Sequence, residues 1–291
     1  MEVNQAVHCQ NILGEGPIWH PEEQALYWVD IDGKLIQRFF PSSSKVETFP
    51  VPKKVSVLAI GEKGGFIAGA EDGIYFWDTY SNHLEFLTDP EPGKTNARFN
   101  DGKVDARGRF WIGTMTPTGA TSSLYCLYFG DYLDLYLEQM IENVTISNGI
   151  GWSPDSRLMY YVDSLRYTVF SYNFDLENGK ISKRRVFFKS NPEMGIPDGL
   201  TVDTEGYIWL ALYDGWKVIR INPAGKVDIE IQMPVSRPSS CAFGGEDMDK
   251  LYITSISEGL NKAQRKKEPL AGDLFVVHTP VRGKPEPKFT G

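Results

Sequence analysis

The chain has 291 residues, of which 41% are hydrophobic and 13% aromatic, so it can bury a large core in one large domain or two smaller ones. Its formal net charge of −8 and pI of about 5.2 argue against binding to nucleic acid or to an anionic membrane, because both need a basic surface. Small molecules or proteins are therefore the expected partners.

The N-terminal segment MEVNQAVHCQNIL lacks the basic stretch and apolar stretch of a secretory signal, and no run of about 18 apolar residues occurs anywhere. Cys9, Cys126 and Cys241 are widely spaced and form no CxxC pair, as is typical of reduced thiols. We therefore predict a cytoplasmic protein. The four histidines are also scattered, which leaves little basis for a His-rich zinc site or a His-dependent catalytic triad.

A short theme of turn residues followed by an apolar or aromatic strand occurs six times. In chain order, the six segments are HPEEQALYWVD, EKGGFIAGA, DARGRFWIGT, SPDSRLMYYVD, DTEGYIWLAL and EDMDKLYITS. Their spacing of roughly 40 to 50 residues is typical of a four-stranded propeller blade, and it is too irregular for a helical solenoid. The sequence therefore predicts six blades.

Each of these strands is preceded by a short strand of small residues and followed by a longer one, and most repeats then have a fourth strand. Strands beside the central channel of a propeller are crowded, so the glycine-rich strand is predicted to be innermost. Aromatic residues are predicted to pack between blades, including Trp19, Trp111, Trp152 and Trp209.

The last repeat ends with the strand DLFVVHT and continues into VRGKPEPKFTG, whose prolines disfavour another central strand. The surplus segment before Glu15, around NQAVHCQNIL, is expected to supply the missing outer strand and close the ring. No linker interrupts the repeats. We predict an all-β protein, with residues 1–291 forming a single six-bladed β-propeller domain of four-stranded antiparallel blades, closed by pairing of the N-terminal and C-terminal strands.

An oxygen-bearing side chain stands at the equivalent position before each inner strand. The six positions are Glu15, Ser56, Asn100, Asn148, Asp198 and Ser239 or Ser240. Each Asn-Gly or Asp-Gly pair, taken alone, is better explained as a tight turn. Their recurrence at one position in six repeats instead favours a shared site around one end of the channel.

Glu15, Asn148 and Asp198 are expected to converge there as metal ligands. Two carboxylates and an amide carbonyl make a site of oxygen ligands that suits Ca²⁺, Mg²⁺ or Mn²⁺, with Zn²⁺ or Fe²⁺ possible where waters complete the shell. For Asp101 and Asp163, hydrogen bonding to the backbone at a strand end is the preferred interpretation, rather than catalysis.

Several motifs resemble, in the same order, those of the SMP-30/gluconolactonase/luciferin-regenerating-enzyme family. They are GEGPIW at 14–19, RFNDGKVDARGRFWIGTM at 98–115, ISNGIGWSPD at 146–155, YYVDS at 160–164, IPDGLTVDTEGYIW at 196–209 and CAFGG at 241–245. The resemblance implies a six-bladed propeller and a divalent-metal aldonolactonase. It places the metal ligands on Glu15, Asn148 and Asp198, and the substrate-contacting or water-contacting residues on Arg98 and Asn100.

The sequence departs from the animal branch of the family at one position. There an acidic residue shortly after the GTM segment contacts the sugar, whereas this chain has Thr118 at the corresponding place. Thr118 is therefore a candidate substrate contact, but the substrate preference of that branch does not transfer. The segment from EGLNK to EPLAGDLFVV looks more like the bacterial lactonases.

The resemblance implies hydrolysis of a sugar lactone, such as gluconolactone or xylonolactone, to the aldonic acid. The bound metal would polarise the carbonyl, Asp198 would accept the proton of the attacking water, and Arg98 and Asn100 would orient the sugar hydroxyls. No GxSxG motif supports a serine hydrolase. Two alternatives stay open, a metal-dependent esterase or phosphotriesterase on the same site and a calcium-binding regulatory propeller without enzymatic role. The expected oligomeric state is a monomer or weak homodimer.

Overall fold

The computed structural model describes residues 1–94, 96–117, 121–130 and 134–291. The strands in chain order are β1 (Val3–Val7), β2 (Gly14–His20), β3 (Ala25–Asp30), β4 (Leu35–Phe40), β5 (Lys45–Pro50), β6 (Val55–Ile60), β7 (Phe66–Ala70), β8 (Gly73–Trp77), β9 (Leu84–Thr88), β10 (Arg98–Val104), β11 (Phe110–Met115), β12 (Ser122–Phe129), β13 (Leu135–Val144), β14 (Ser147–Trp152), β15 (Leu158–Asp163), β16 (Thr168–Asp175), β17 (Lys180–Lys189), β18 (Ile196–Val202), β19 (Ile208–Tyr213), β20 (Lys217–Ile221), β21 (Val227–Gln232), β22 (Pro238–Gly244), β23 (Lys250–Ser255) and β24 (Leu274–His278). Within the described ranges, the helical elements are a 3₁₀ turn at Ser164–Arg166 and α1 (Lys262–Lys267). No helix in these ranges is long and apolar enough to cross a bilayer.

The strands form four-stranded antiparallel sheets arranged as six blades. Five blades consist of consecutive strands, β2–β5, β6–β9, β10–β13, β14–β17 and β18–β21. The innermost strands β2, β6, β10, β14, β18 and β22 each contact the innermost strands of both neighbouring blades, so the ring is closed. The predicted six-bladed propeller is therefore confirmed.

The sixth blade joins the two ends of the chain. Its order is β22, β23, β24 and then β1 at the outer edge, and β1 pairs antiparallel with β24. The buried carboxylate of Asp273, just before β24, accepts hydrogen bonds from Gln5 Nε2 at 2.6 Å and from the backbone N–H of Gln10 at 2.9 Å. The predicted closure by the N-terminal segment is confirmed, with the strand lying at Val3–Val7.

The core consists of apolar clusters between neighbouring blades. Trp209 packs between the fifth and sixth blades, Trp111 and Trp152 between the third and fourth, and Trp19 between the sixth and first. Trp111 Nε1 donates to Asp105 Oδ2 at 2.8 Å, which satisfies the polar edge of a fully buried indole. The positions predicted for these aromatic residues between blades are confirmed.

Each innermost strand has an irregularity in its pairing register at the same height in the blade. The register shifts between Glu15 and Ile18, Val55 and Val57, Phe99 and Gly102, Asn148 and Ile150, Pro197 and Leu200, and Pro238 and Cys241. A β-bulge changes the direction in which nearby side chains point. The polar residues singled out in the sequence lie at or beside these bulges, near the start of each inner strand.

After β24 the chain crosses the opposite end of the channel. The backbone N–H of Gly283 donates to Met248 O at 2.8 Å, that of Phe289 to Ile60 O at 2.8 Å, and that of Thr290 to Gly108 O at 3.1 Å. These acceptors lie at the end of the inner strand of the second blade and in the turns that follow the inner strands of the sixth and third blades. Residues 279–291, called the C-terminal segment below, therefore cover the channel end opposite the polar ring.

Candidate metal centre and active site

The three predicted ligands are buried side chains near the start of inner strands in three blades. Glu15 on β2 is 9% exposed, Asn148 on β14 is 6% exposed and Asp198 on β18 is 7% exposed. Asn148 and Asp198 belong to neighbouring blades, and a Cβ placed on Gly149 would lie 2.6 Å from the carbonyl oxygen of Asp198. The ring therefore brings Asn148 and Asp198, which are far apart in sequence, close together.

Two oxygens of this group have no hydrogen-bond partner among the described residues, Asn148 Oδ1 and Asp198 Oδ1. Asn148 Nδ2 donates to Ser164 Oγ at 3.1 Å, which directs the amide nitrogen towards the protein. Glu15 Oε2 accepts from the N–H of Gly16 at 3.0 Å. Buried polar atoms are normally paired, so unpaired oxygens fit a site whose ligand is a cation.

Burial and neighbouring carboxylates destabilise the charged forms of Glu15 and Asp198. Burial, followed by the charge of Asp101, raises the pKa of Glu15 to about 8. Burial, followed by the charge of Glu15, holds the pKa of Asp198 well above its usual range. A divalent cation between them would remove this repulsion and favour both charged forms. Within the described ranges no group of three His, Cys, Asp or Glu side chains is placed to hold a metal ion. The predicted donor set differs from such a group because one of its three members is the amide of Asn148.

Asp101 is a third carboxylate in the channel, and sequence reasoning missed its position. It accepts a hydrogen bond from the N–H of Gly102 at 2.7 Å, so the predicted backbone hydrogen bond is present. Its charge also raises the pKa of Glu15 and of Asp198, and burial raises its own pKa to about 6 although the charge of Lys103 opposes that shift. The bulge in β10 explains this position, because Asn100 and Asp101 together stand opposite a single residue of β11.

Asp163 has the structural role that was predicted for it. Its Oδ1 accepts from the N–H of Thr145 at 3.1 Å, and its Oδ2 pairs with Arg166 Nη1 at 2.7 Å. These contacts hold the 3₁₀ turn whose Ser164 supports Asn148.

Arg98 and Asn100 form a connected pair on β10. Arg98 Nη1 donates to Asn100 Oδ1 at 2.7 Å and to Phe99 O at 2.8 Å, while Asn100 Nδ2 donates to Ser147 O at 2.8 Å. Burial lowers the pKa of Arg98, and the charge of Glu15 opposes that shift. Arg98 has no carboxylate partner within 4.0 Å in the described part of the chain, so its remaining donors are available to a ligand.

A groove of about 610 Å³ opens beside Arg98 across the second and third blades. Lys54, Lys94 and Glu91 are among its lining residues. Glu91 is buried and accepts hydrogen bonds from Tyr125 Oη at 2.8 Å and Lys94 Nζ at 3.0 Å. The predicted contact residue Thr118 lies outside the described residues.

The sequence matches known proteins over almost its full length. The pattern described as the SMP-30/Gluconolactonase/LRE-like region matches residues 13–257. Regucalcin from Bos taurus is 38% identical over 295 residues, which covers 98% of this chain and 95% of the bovine protein. A 6-deoxy-6-sulfogluconolactonase from Pseudomonas putida is 35% identical over 298 residues, covering 99% of this chain and 100% of that protein.

A solved structure shows the same architecture. The crystal structure of a calcium-binding protein, regucalcin, from Agrobacterium tumefaciens superimposes with a TM-score of 0.93 at 26% identity, covering 98% of this chain and 96% of the other. The chain therefore belongs to the SMP-30/gluconolactonase/LRE-like family.

Proposed function

We propose that the protein hydrolyses sugar lactones to aldonic acids, using one divalent cation held by Glu15, Asn148 and Asp198. The observation that carries this proposal is the buried group of two carboxylates and an amide, in which Asn148 Oδ1 and Asp198 Oδ1 have no partner among the described residues. Family membership supplies the reaction class, since a relative at 35% identity is named a sulfogluconolactonase. The oxygen ligands favour Ca²⁺, Mg²⁺ or Mn²⁺, with Zn²⁺ or Fe²⁺ as further candidates where water completes the shell.

The cation, when bound, supplies Lewis-acid polarisation of the lactone carbonyl. Glu15 and Asn148 hold it, while Asp198 is the carboxylate placed to accept the proton of the attacking water. The water oxygen bonds to the carbonyl carbon, the bond from that carbon to the ring oxygen breaks, and the proton passes to the ring oxygen, which leaves as a hydroxyl.

Arg98 and Asn100 orient the substrate. Asn100 is fixed between the backbone of β14 and the guanidinium of Arg98, so it holds Arg98 in one orientation. The remaining donors of Arg98 then meet the oxygens of a hydroxylated ring. The adjoining groove of about 610 Å³ has room for substituents on the sugar. Thr118 remains a candidate contact.

A pH-stat assay tests the proposal directly. Glucono-, galactono-, xylono- and 6-deoxy-6-sulfogluconolactone are supplied to untreated protein, to chelator-stripped protein and to stripped protein reloaded with single metals. We expect chelation to abolish hydrolysis, one or more metals to restore it, and Asp198→Asn to lower kcat by at least about a hundredfold. Asp155→Asn, an exposed aspartate at the opposite face, is the matched control and retains activity.

The same assay separates the other functions. Metal-dependent hydrolysis of other esters or phosphotriesters without lactone hydrolysis would indicate the alternative enzyme class. Tight Ca²⁺ binding without any hydrolysis would indicate a calcium-binding regulatory protein. Lactone hydrolysis that persists unchanged in stripped protein or in Asp198→Asn contradicts the proposed mechanism.

A further inference from the structure

A partly buried ion pair lies in the channel on the far side of the ligand group. Lys103 Nζ on β10 is 3.0 Å from Glu286 Oε1 of the C-terminal segment, and their side chains are 19% and 20% exposed. Lys103 Nζ also donates to Leu200 O at 3.3 Å, which fixes the ammonium against the neighbouring inner strand β18. Neither charged group has a role in the chemistry described above.

The ion pair is continuous with the ligand group. Lys103 follows Asp101 by two residues on β10, and Asp101 is the carboxylate whose charge acts on both Glu15 and Asp198. A cavity of about 30 Å³ in the channel is lined by residues that include Asp101, Lys103, Ser240 and Glu286. This volume suffices for a water molecule, and the lining offers it polar partners. Charges on Asp101, Lys103 and Glu286 therefore form a column that leads from the ligand group to the C-terminal segment.

Lys103 carries its positive charge inside this column. Burial works against that charge, but the carboxylates of Glu286 and Asp101 outweigh it, so the pKa of Lys103 is raised above its ordinary value. Charges in an enclosed channel are screened less than charges at the surface, and their effects extend further. A cation bound by the ligand group would therefore be repelled by Lys103, and Glu286 would offset that repulsion.

We propose that Lys103 and Glu286 are positioning residues that set the divalent-cation affinity of the Glu15, Asn148 and Asp198 site through their opposite charges. This inference rests on the proposed function, because it presupposes that a cation binds there. Through Glu286, the C-terminal segment would then affect cation binding at a site that it does not contact, in addition to covering the end of the channel.

The two charges predict shifts of opposite sign. A unit charge about 10 Å from a divalent cation, at an effective dielectric constant between those of protein and water, changes the Kd about tenfold. Replacing Lys103 by methionine removes the repulsion, so Lys103→Met is expected to bind the cation about tenfold more tightly. Glu286→Gln leaves Lys103 unopposed and is expected to bind about tenfold more weakly. The double variant removes both charges and is expected to lie near the wild type.

The test is calorimetric titration of the EDTA-stripped full chain with Ca²⁺, and separately with Mn²⁺, at low ionic strength. Lys103→Arg and Glu286→Asp keep the charges and should retain affinities near the wild-type value, and both remain informative if a neutral variant fails to fold. Lys288→Met is the matched control, because it removes a cation of the same segment that pairs with Glu22 at the surface. High salt should shrink the shifts less than it would for a pair at the surface, because both side chains are mostly shielded from solvent.

Shifts of the same sign in Lys103→Met and Glu286→Gln, or affinities equal to that of the wild type, overturn the inference. Neither of these two results contradicts the proposed function, provided that the wild-type protein binds the cation. A wild-type protein that binds none of Ca²⁺, Mg²⁺, Mn²⁺, Zn²⁺ and Fe²⁺ in the same titration overturns the inference, and a lactonase activity that then persists in stripped protein overturns the proposed function as well.

Discussion

The metal-free protein is expected to lose stability as the pH rises, because the ligand carboxylates are hard to ionise in the folded state. Burial and the charge of Asp101 raise the pKa of Glu15 from 4.5 to about 8. A folded-state pKa above the unfolded value means that the folded protein binds more protons between these two values. The free energy of unfolding therefore falls as the pH rises from about 5 to about 8.

The magnitude follows from the size of the shift. Each pKa unit corresponds to about 1.4 kcal/mol, so ionising Glu15 in the folded, metal-free protein costs up to about 5 kcal/mol relative to the unfolded chain. Asp198 and Asp101 titrate in the same direction. Glu15→Gln removes one of these charges and should flatten the decline.

Urea denaturation followed by tryptophan fluorescence measures this effect. The stripped protein is unfolded at several pH values between about 5 and about 8, with and without saturating Ca²⁺ or Mn²⁺, and the cation should restore most of the stability lost at high pH. Glu62→Gln, which removes an exposed carboxylate in a distant turn, should retain the wild-type slope. A stability that rises with pH in stripped protein, or an equal slope in Glu15→Gln, would refute the reasoning.

Two further substitutions test the closure of the ring and the geometry of the site. Asp273→Asn weakens the charged hydrogen bonds that hold Gln5 and Gln10, so it should lower the free energy of unfolding, measured by urea denaturation, by about 2 kcal/mol. The control is Asp249→Asn, which changes a partly exposed carboxylate. Equal stability of the two variants contradicts the prediction. Gly149→Ala would place a Cβ 2.6 Å from Asp198 O and 2.9 Å from Leu200 N, so calorimetry should show cation affinity reduced at least about tenfold. Gly151→Ala meets only side-chain atoms at 3.0 Å and should bind normally; equal affinities of the two alanine variants count against the proposed geometry.

The fold could be predicted because each blade repeats the same local pattern. An apolar or aromatic strand such as the one around Trp111 recurs in all six blades, and it follows an inner strand that contains glycine in five of them. The repeat therefore indicates both the number of blades and which strand is innermost. The closing strand could be predicted because the sixth repeat lacks an outer strand. The chain before Glu15 contains a surplus segment that can form this strand. Alignment of the repeats also predicted the convergence of Glu15, Asn148 and Asp198, because rotation about the channel places equivalent residues in a ring.

Asp101 and the C-terminal segment could not be predicted in the same way, because both break the repeat. Asp101 points into the channel because the bulge in β10 contains two polar residues, Asn100 and Asp101. A bulge is recognised from the pairing register of two strands, and a single sequence does not show that register. Glu286 reaches Lys103 from a segment that belongs to no blade. Long-range contacts made outside the repeating unit leave no periodic pattern in the sequence.

Ring closure and the candidate site share one segment of chain, which makes them physically dependent on each other. Between β1 and Glu15, the buried amide of Asn11 donates to Gln37 Oε1 at 2.6 Å and accepts from Trp28 Nε1 at 2.8 Å, while the backbone carbonyl of Asn11 accepts from Ser257 Oγ at 2.8 Å. These bonds fasten the first blade to the sixth four residues before Glu15. A cation held by Glu15 together with ligands of the fourth and fifth blades would also restrain this segment. We therefore expect cation binding to raise the resistance of the ring to opening at β1.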